Sequence, residues 1–500
     1  MAKKPAVLAL IGILALFLFS VFTIEMWINP NIEQEITSLI RAHCKANNLV
    51  LVNDKLTCQV STLSQTLSID PFAVTLKDDP NARIQFGKTN AKLTMDGMLA
   101  FSPLADRVLS KGGTILVSPT IQTENVEVSF SNGKSQFGMS EAKGIAFDTT
   151  ALKKMLAEGG NVQEGLSVQT IRIASSQTEV KGENSAALST GEILVSDLKP
   201  KFLERITVSD VKLNENNLSL ATFDHFTMEK IRIFSNEEAI ALADKLSGRN
   251  FDELSDQEAE ELSIELFNLL AGENPLIGKT SIQNITANAT DATPLRIKSI
   301  QYTVGNTSKE KGFSVQGIEI PKETISAMTE QELPLPNLLH VDLSGTLTKV
   351  SDASQRLSCL LNIRELFTLD MGISSEIKDL SSLLNDFANH PVHDCYLRYT
   401  DKSLLARCLA FFIPEGSPKD VILQEIRASI TDPSEQPLAD DLSKFVEKPG
   451  SFEISTEKGK VFRFAELLEL NEKELLSVIK LIIREGDRDI DNQIAEIKAK

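Results

Sequence analysis

Short segments in which apolar and polar residues alternate recur along most of the chain and predict β-strands. Between residues 49 and 147 they include TLSID, FAVTL, ARIQF and VEVSF, separated by Asp, Pro, Gly and Asn. Longer segments of the same kind return between residues 295 and 400. Because strands joined by short polar turns pair with their neighbours along the chain, the pattern predicts an antiparallel meander.

Three seven-residue segments share one pattern of residue types: SVQTIRI at 167–173, TVSDVKL at 207–213 and SIQNITA at 281–287. The first two are followed by a second strand candidate and a short helical segment, with units repeating every ~40 to 50 residues. Such self-similarity predicts units that stack, because each alone cannot bury its apolar face. The alternative is that amphipathic strands resemble one another without being repeats.

Equivalent strands in such a stack would align their apolar side chains. Ile171, Val211 and Ile285 would then point to one side of the sheet, as would Ile173 and Leu213, and together they would form an apolar ladder. A ladder covered by helices is a core, whereas an open ladder is a groove of lipid size. Both need the same alternation, so the sequence leaves both open.

The N-terminus has the pattern of an uncleaved signal anchor. Lys3 and Lys4 precede an apolar run from Pro5 to Ile24, which is long enough to cross a bilayer as a helix. No small-x-small cleavage site follows, although a removed signal peptide is the alternative. The lysines place the N-terminus in the cytoplasm, so we expect a single-pass inner-membrane protein with the bulk of its chain periplasmic.

Helical spacing of apolar residues predicts a helix directly after the anchor, at residues 31–47, and a second, acidic one at 252–271. The acidic helix would cap an open sheet end or, through residues 252–270, meet a protein partner. From Lys402 the chain becomes mostly helical.

These elements give a mainly β fold with some α, an elongated and repeat-built antiparallel sheet with short helices, and a more helical α+β C-terminal part. The predicted divisions are a transmembrane helix at 1–27, a repetitive β-rich region at 28–335 with the inserted helix 252–271, a meander at 336–400, a helical region at 401–485 and a charged tail at 486–500.

Composition and motifs argue against several functions. Acidic residues outnumber basic ones 69 to 51, and a net charge of −18 repels the phosphates of nucleic acid. No hydrolase, zinc-protease or nucleotide-binding motif occurs, so we expect neither an enzyme nor a cofactor. A hydrolase whose site escapes motif reading remains the alternative. His390, His393 and Asp394 lie together, and we interpret them as a turn and not as a metal site.

The five cysteines suit an oxidising compartment. Cys44 with Cys58, or Cys359 with Cys395, would form a disulfide, and Cys408 would remain a buried apolar residue. The alternative is that all five are reduced and buried.

The anchor, the repeated T-V-x-D-V-x-L units, LLHVDLSGTLTK and FTLDMGISSEIKDL together resemble the AsmA-like and related β-groove proteins of the Gram-negative envelope. The segment CYLRYTDKSLLARCLAFF is similar to the C-terminal part of periplasmic proteins built in the same way. The resemblance implies a curved sheet that forms a trough lined by apolar side chains. It also implies a role in moving lipids between membranes or in maintaining the envelope.

We therefore expect a non-enzymatic, membrane-anchored envelope protein that shelters or transfers an apolar ligand such as lipid acyl chains. The alternative is a structural or interaction scaffold whose sheet is covered by its own chain and which holds no ligand.

Overall fold

The structure is a computed structural model, and it describes residues 28–46, 48–52, 56–158, 165–181, 185–216, 218–233, 276–288, 294–305, 310–329, 335–351, 354–375, 391–413, 417–429, 436–456, 461–463, 465–466 and 478–499. The chain divides into two compact units, Met1–Asn250 and Phe251–Lys500. Both are mainly antiparallel β-sheet with a few helices, as the alternation predicts.

Two predicted helices, at residues 1–27 and 252–271, lie outside the described residues. In the described ranges the structure contains no helix with the length and apolarity that a membrane crossing needs.

The first unit contributes the following strands: β1 (Leu49–Leu51), β2 (Cys58–Ser61), β3 (Thr66–Ile69), β4 (Phe72–Leu76), β5 (Arg83–Phe86), β6 (Thr89–Lys92), β7 (Thr114–Thr123), β8 (Val126–Phe130), β9 (Gly133–Phe137), β10 (Ser140–Asp148), β11 (Leu166–Ile173), β12 (Ser176–Val180), β13 (Ala186–Thr190), β14 (Ile193–Lys199), β15 (Phe202–Glu215) and β16 (Leu218–Arg232).

These strands form two antiparallel ladders that meet on β15. One ladder runs β2, β3, β6, β7, β10, β11, β14, β15 and β16. The other runs β1, β4, β5, β8, β9, β12, β13 and β15. Consecutive strands such as β7 and β8 are therefore halves of one long strand, and the unit is a simple meander.

Short breaks separate the two halves of each long strand, at residues 70–71, 87–88, 124–125, 138–139, 174–175 and 191–192. We call this line of breaks the crease. Backbone hydrogen bonds continue across it, because the amides of Gly87, Gly138 and Gly191 donate to the carbonyls of Asn125, Ser175 and Ser209. The sheet is therefore continuous through the crease, and such irregularities bend strands locally.

A shorter motif than the heptapeptide recurs inside the strands: an apolar residue, any residue, a residue with positive φ, and an apolar residue. It occurs as AKGI, VSDL, VSDV, IQNI and VQGI, and its third residues are Gly144, Asp197, Asp210, Asn284 and Gly317. Gly, Asn and Asp adopt positive φ at low cost, so they suit these positions. The pairing register shifts beside Gly144 and at Gly317, which makes those two places irregularities of the β-bulge type.

This backbone feature separates the three heptapeptides. TVSDVKL and SIQNITA have Asp210 and Asn284 at their fourth position, both with positive φ. SVQTIRI has Thr170 there, and Thr170 pairs regularly with Lys143 and Ser196. SVQTIRI is therefore not structurally equivalent to the other two segments. Its similarity in sequence is explained by the general similarity of amphipathic strands.

The described helices of the first unit are α1 (Asn29–Ala46), α2 (Met95–Ala100), α3 (Ala105–Leu109) and α4 (Thr149–Glu158). The predicted helix after the anchor is confirmed as α1. Its Ile32 and Ile36 are buried against β2, β3 and β6. Leu152 and Met155 of α4 pack with α2, α3 and strands β7, β10 and β11. Helices therefore pack on the sheet over strands β2, β3, β6, β7, β10 and β11.

The second unit contributes these strands: β17 (Ile277–Ala287), β18 (Leu295–Val304), β19 (Glu310–Pro321), β20 (Leu338–Lys349), β21 (Gln355–Ile363), β22 (Phe367–Ser375), β23 (Pro391–Asp401), β24 (Ser451–Thr456), β25 (Phe462–Arg463) and β26 (Ile479–Arg484).

They form a second meander in the order β17 to β24 and then β26, with β25 paired to β23. The expected division at residue 335 falls between β19 and β20, which pair with each other, so it does not separate two compact parts. His393 and Asp394 lie on β23, so the predicted turn is a strand; His390 lies outside the described residues.

The described helices of the second unit are α5 (Lys322–Thr329), α6 (Leu404–Phe412), α7 (Pro418–Ser429), α8 (Gln436–Glu447) and α9 (Ile490–Lys498). Ala406 and Leu409 of α6 pack against Ile490 and Ile494 of α9. The predicted charged tail at 486–500 therefore contains a packed helix, because two of its isoleucines are buried one helical turn apart.

Candidate apolar binding face

The second unit carries an unbroken apolar row across nine strands. Each member is the direct cross-strand partner of the next: Ile282, Ile300, Val315, Leu343, Leu361, Leu369, Tyr399, Phe452 and Ile483. We call this row the central row. Directly paired residues point to the same side of a sheet, so the row defines one face.

On β18 to β24 and on β26, the residues two positions away share that face, and none of them is charged; on β17 the corresponding residue is Thr280. They form a second row of Tyr302, Phe313, Gly345, Cys359, Met371, Leu397, Ile454 and Leu481. A third row on strands β20 to β23 consists of Val341, Ile363, Phe367 and Asp401. We call the three rows together the apolar face.

The opposite side of the same sheet is polar. Arg398 lies between two carboxylates on neighbouring strands, 2.8 Å from Glu453 and 3.5 Å from Asp370. The hydroxyl of Tyr396 donates a hydrogen bond to Asp370. In an antiparallel sheet of this kind, the polar side faces water and the apolar side packs against an apolar neighbour.

All nine residues of the central row are half-buried. Residues of a closed core are buried, as Val74 and Met98 are in the first unit, at 2% and 1% exposure. The apolar face therefore keeps contact with solvent along its whole length, which is the property expected of a binding face.

Aromatic rings cluster on the last strands of the apolar face. Tyr399 stacks with Phe367 at 5.6 Å between ring centroids and with Phe452 at 5.1 Å. Phe445 of α8 meets Phe452 edge-on at 6.0 Å. These contacts attach a C-terminal helix to the last strands of the face.

Asp401 lies at this end of the face and is 7% exposed. Its Oδ1 accepts hydrogen bonds from the Tyr399 hydroxyl at 2.6 Å and from the Leu405 amide at 3.0 Å, in the first turn of α6. Its Oδ2 is buried and has no hydrogen-bond partner in the described part of the chain. Burial raises the pKa of Asp401, because water no longer solvates the carboxylate. An uncharged acid suits this apolar setting.

The first unit has a matching row across nine strands: Val60, Leu67, Ala91, Ile121, Ala142, Ile171, Val195, Ile206 and Met228. Its first three members are buried beneath α1 and α2, and the other six are half-buried. This row is therefore covered at one end, unlike the central row of the second unit.

The structure distributes the predicted ladder residues over different rows. Ile171 pairs with Val195, and Ile173 pairs with Ile193. Val211 lies further along β15, opposite Phe223, and Leu213 lies opposite Ala221. Ile285 lies in the second unit, opposite Ile297.

The rows themselves could not be read from the sequence, because they depend on strand register. The sequence shows only which residues of one strand share a side. The alternation in IKSIQYTV, for example, places Ile300 and Tyr302 on the same side of their strand.

All five cysteines are free thiols. Cys359 and Cys395 lie on β21 and β23, with β22 between them, where they face Met371 and Ile373. Two strand spacings make about 10 Å, which exceeds the reach of a disulfide, so the predicted Cys359 to Cys395 bridge is wrong.

Cys44 and Cys58 are separate buried thiols on α1 and β2, so their predicted bridge is not formed either. Burial, assisted by the nearby charge of Glu33, raises the pKa of Cys58 to about 12. The thiolate that exchange chemistry needs is therefore scarce. The cysteines fit the reduced part of the alternative, but only Cys44 and Cys58 are buried. Cys359, Cys395 and Cys408 are half-buried, so the expected burial of Cys408 is only partial.

Fold and face together define a class of protein, an antiparallel β-meander with one apolar side. Neither a scan against protein-family models nor a search of curated proteins finds a match to this sequence.

Proposed function

We propose that this chain is a non-enzymatic, membrane-anchored protein of the Gram-negative envelope that shelters or transfers an apolar ligand, such as lipid acyl chains, on the apolar face of its second unit. The observation that carries the proposal is the central row, which is apolar on nine consecutive strands and half-buried on all of them. The resemblance to AsmA-like β-groove proteins is part of the same proposal.

The dimensions of the face suit an acyl chain. Nine strands spaced by about 4.8 Å give a row roughly 38 Å long. An acyl chain spans about half of the ~30 Å hydrocarbon core of a bilayer, so it fits along this row with length to spare. Apolar side chains without fixed polar partners bind such chains by excluding water and with little selectivity for chain type.

The first unit favours a second candidate function, a structural scaffold without ligand. Helices α1 and α2 bury Val60, Leu67 and Ala91, so part of its apolar row already has a cover from the same chain. In this candidate a protein partner, and not a lipid, would cover the remaining half-buried apolar surface.

Lipid analysis of the purified full-length protein distinguishes these functions. We expect acyl lipids in the wild-type preparation, their loss from a folded Leu343→Asp variant, and their retention in Thr346→Asp. Thr346 is the matched control, because it lies on β20 as Leu343 does, but faces the polar side.

Three outcomes contradict lipid binding. One is a wild-type protein with no more lipid than an unrelated single-pass protein purified in the same way. Another is equal lipid loss in both variants. The third is unfolding of Leu343→Asp alone, which would show that the face is a closed core and would favour the scaffold.

Membrane attachment through residues 1–27 is a further part of the proposal. It rests on the apolar run and its flanking lysines. A reporter that is active only outside the cytoplasm should be active when fused after Lys500, and one that is active only inside should be silent. The reverse pattern would contradict the periplasmic placement.

A further inference from the structure

A cavity of about 480 Å³ lies on the crease of the first unit. It is lined at the breaks between β7 and β8, β9 and β10, and β11 and β12, so it spans several neighbouring long strands. Its volume lies within the roughly 300–1,000 Å³ typical of small-molecule sites.

Four lining residues form one cross-strand row, Glu127, Gln136, Gln177 and Ser189. Direct pairing places their side chains on one face of the sheet. The row therefore presents one carboxylate, two amides and one hydroxyl side by side at the cavity.

These groups keep hydrogen-bonding capacity after their contacts within the protein. The Gln136 amide donates to Glu127 at 3.1 Å, and the Gln177 amide donates to Glu179 at 2.9 Å. A side-chain amide has two donor hydrogens and an acceptor oxygen, so each of these contacts uses only part of its capacity.

The composition of the lining selects a class of ligand. None of the described residues that line the cavity is cationic, and Glu127 adds a negative charge, so a phosphate or carboxylate would be repelled. One carboxylate does not make a metal site, and the described residues contain no group of three metal-binding side chains. A neutral ligand with many hydroxyl groups matches closely spaced donors and acceptors.

We propose that the crease of the first unit binds a neutral saccharide, with Gln136 and Gln177 as its principal hydrogen-bonding residues. The site is independent of the apolar face, so either proposal stands if the other fails.

Isothermal titration calorimetry tests the site, with the full-length protein in a detergent that has no sugar head group. The probes are maltose, which offers hydroxyl groups alone, and N,N′-diacetylchitobiose, which adds amides. We expect saturable binding of at least one probe. Gln136→Leu and Gln177→Leu should each weaken it by about tenfold or more, since one tenfold step corresponds to ~1.4 kcal/mol.

The matched control is Gln85→Leu. Gln85 is exposed and pairs with Glu127 in the same cross-strand row, but it does not line the cavity. Binding to Gln85→Leu should equal that of wild type, and thermal unfolding should show that all three variants remain folded. The proposal is overturned if wild type binds neither probe, if both cavity variants bind as wild type does, or if the control loses binding to the same extent.

Discussion

The ring of Phe313 on β19 lies over Gly345, its direct cross-strand partner on β20. A side-chain carbon at position 345 would overlap the ring. Phe313 is 42% exposed on the apolar face, so glycine provides the space in which this large ring lies flat against the sheet. An aromatic ring over a glycine on a neighbouring strand is a known device for stabilising β-sheets.

Gly345→Ala should therefore displace the Phe313 ring and lower the free energy of unfolding by about 1–3 kcal/mol, the usual cost of overpacking. Chemical denaturation measures the change. Gly312→Ala is the control, because its added carbon would meet Thr303 at an ordinary contact distance of 3.5 Å. A Gly345→Ala variant as stable as this control would contradict the steric role of Gly345.

Val211 and Leu213 lie two residues apart on β15 but differ in burial, at 5% and 38% exposure. Val211→Asp should destabilise the first unit by more than about 2 kcal/mol, because it places a carboxyl group where water does not reach. Leu213→Asp should have a much smaller effect. Thermal unfolding of both variants tests this difference, and equal loss of stability would show that positions 211 and 213 are equally buried.

The raised pKa of Asp401 gives a pH dependence with a definite sign. An acid whose pKa is higher in the folded than in the unfolded protein binds more protons when folded, so its ionisation lowers stability as pH rises. The loss begins near the ordinary aspartate value of about 3.9 and continues to the raised pKa of the folded protein.

Asp401→Asn imitates the uncharged acid and retains an acceptor for Tyr399 and Leu405. We expect the variant to lose less stability than wild type across that pH range, as measured by denaturation at a series of pH values. Parallel pH profiles of the two proteins would argue that folding does not raise the pKa of Asp401.

The edge strand β2 depends on helix α1 for one of its backbone hydrogen bonds. The Val60 amide donates to the Glu33 carboxylate at 2.7 Å. Glu33→Met should leave this amide without its acceptor at a cost of about 1–3 kcal/mol, while methionine preserves the helix. Gln34→Met on the exposed side of α1 is the control. Circular dichroism during thermal unfolding compares the two variants, and matching melting temperatures would contradict the edge-capping role.

The positive-φ positions illustrate how far local sequence information extends. VSDV and IQNI can be recognised as related because Asp210 and Asn284 tolerate positive φ, a property of the residue itself. Thr170 occupies the same place in SVQTIRI, and its regular backbone follows from pairing on both sides with β10 and β14. Residue types therefore predicted strands well, while strand equivalence required knowledge of the neighbours.

The cysteines show the same limit at longer range. Spacing in the sequence permits a bridge between Cys359 and Cys395, since nothing in the chain fixes which strands lie between them. The meander order places β22 between β21 and β23 and so keeps the two sulfurs apart. In a sheet, distance depends on strand order and register, which are long-range properties.

The sequence by itself determined that this is a mainly antiparallel β-protein with amphipathic strands, a helix near residues 31–47 and a helix-rich C-terminal part, because alternation and helical spacing are local properties of residues. Only the tertiary structure decided that Leu343, Tyr399 and Phe452 belong to one apolar row, and that Gln136 and Gln177 meet at the crease. A shift of one residue in the register of any strand would move its apolar side chains to the opposite face, so these groupings depend on all the strands pairing together.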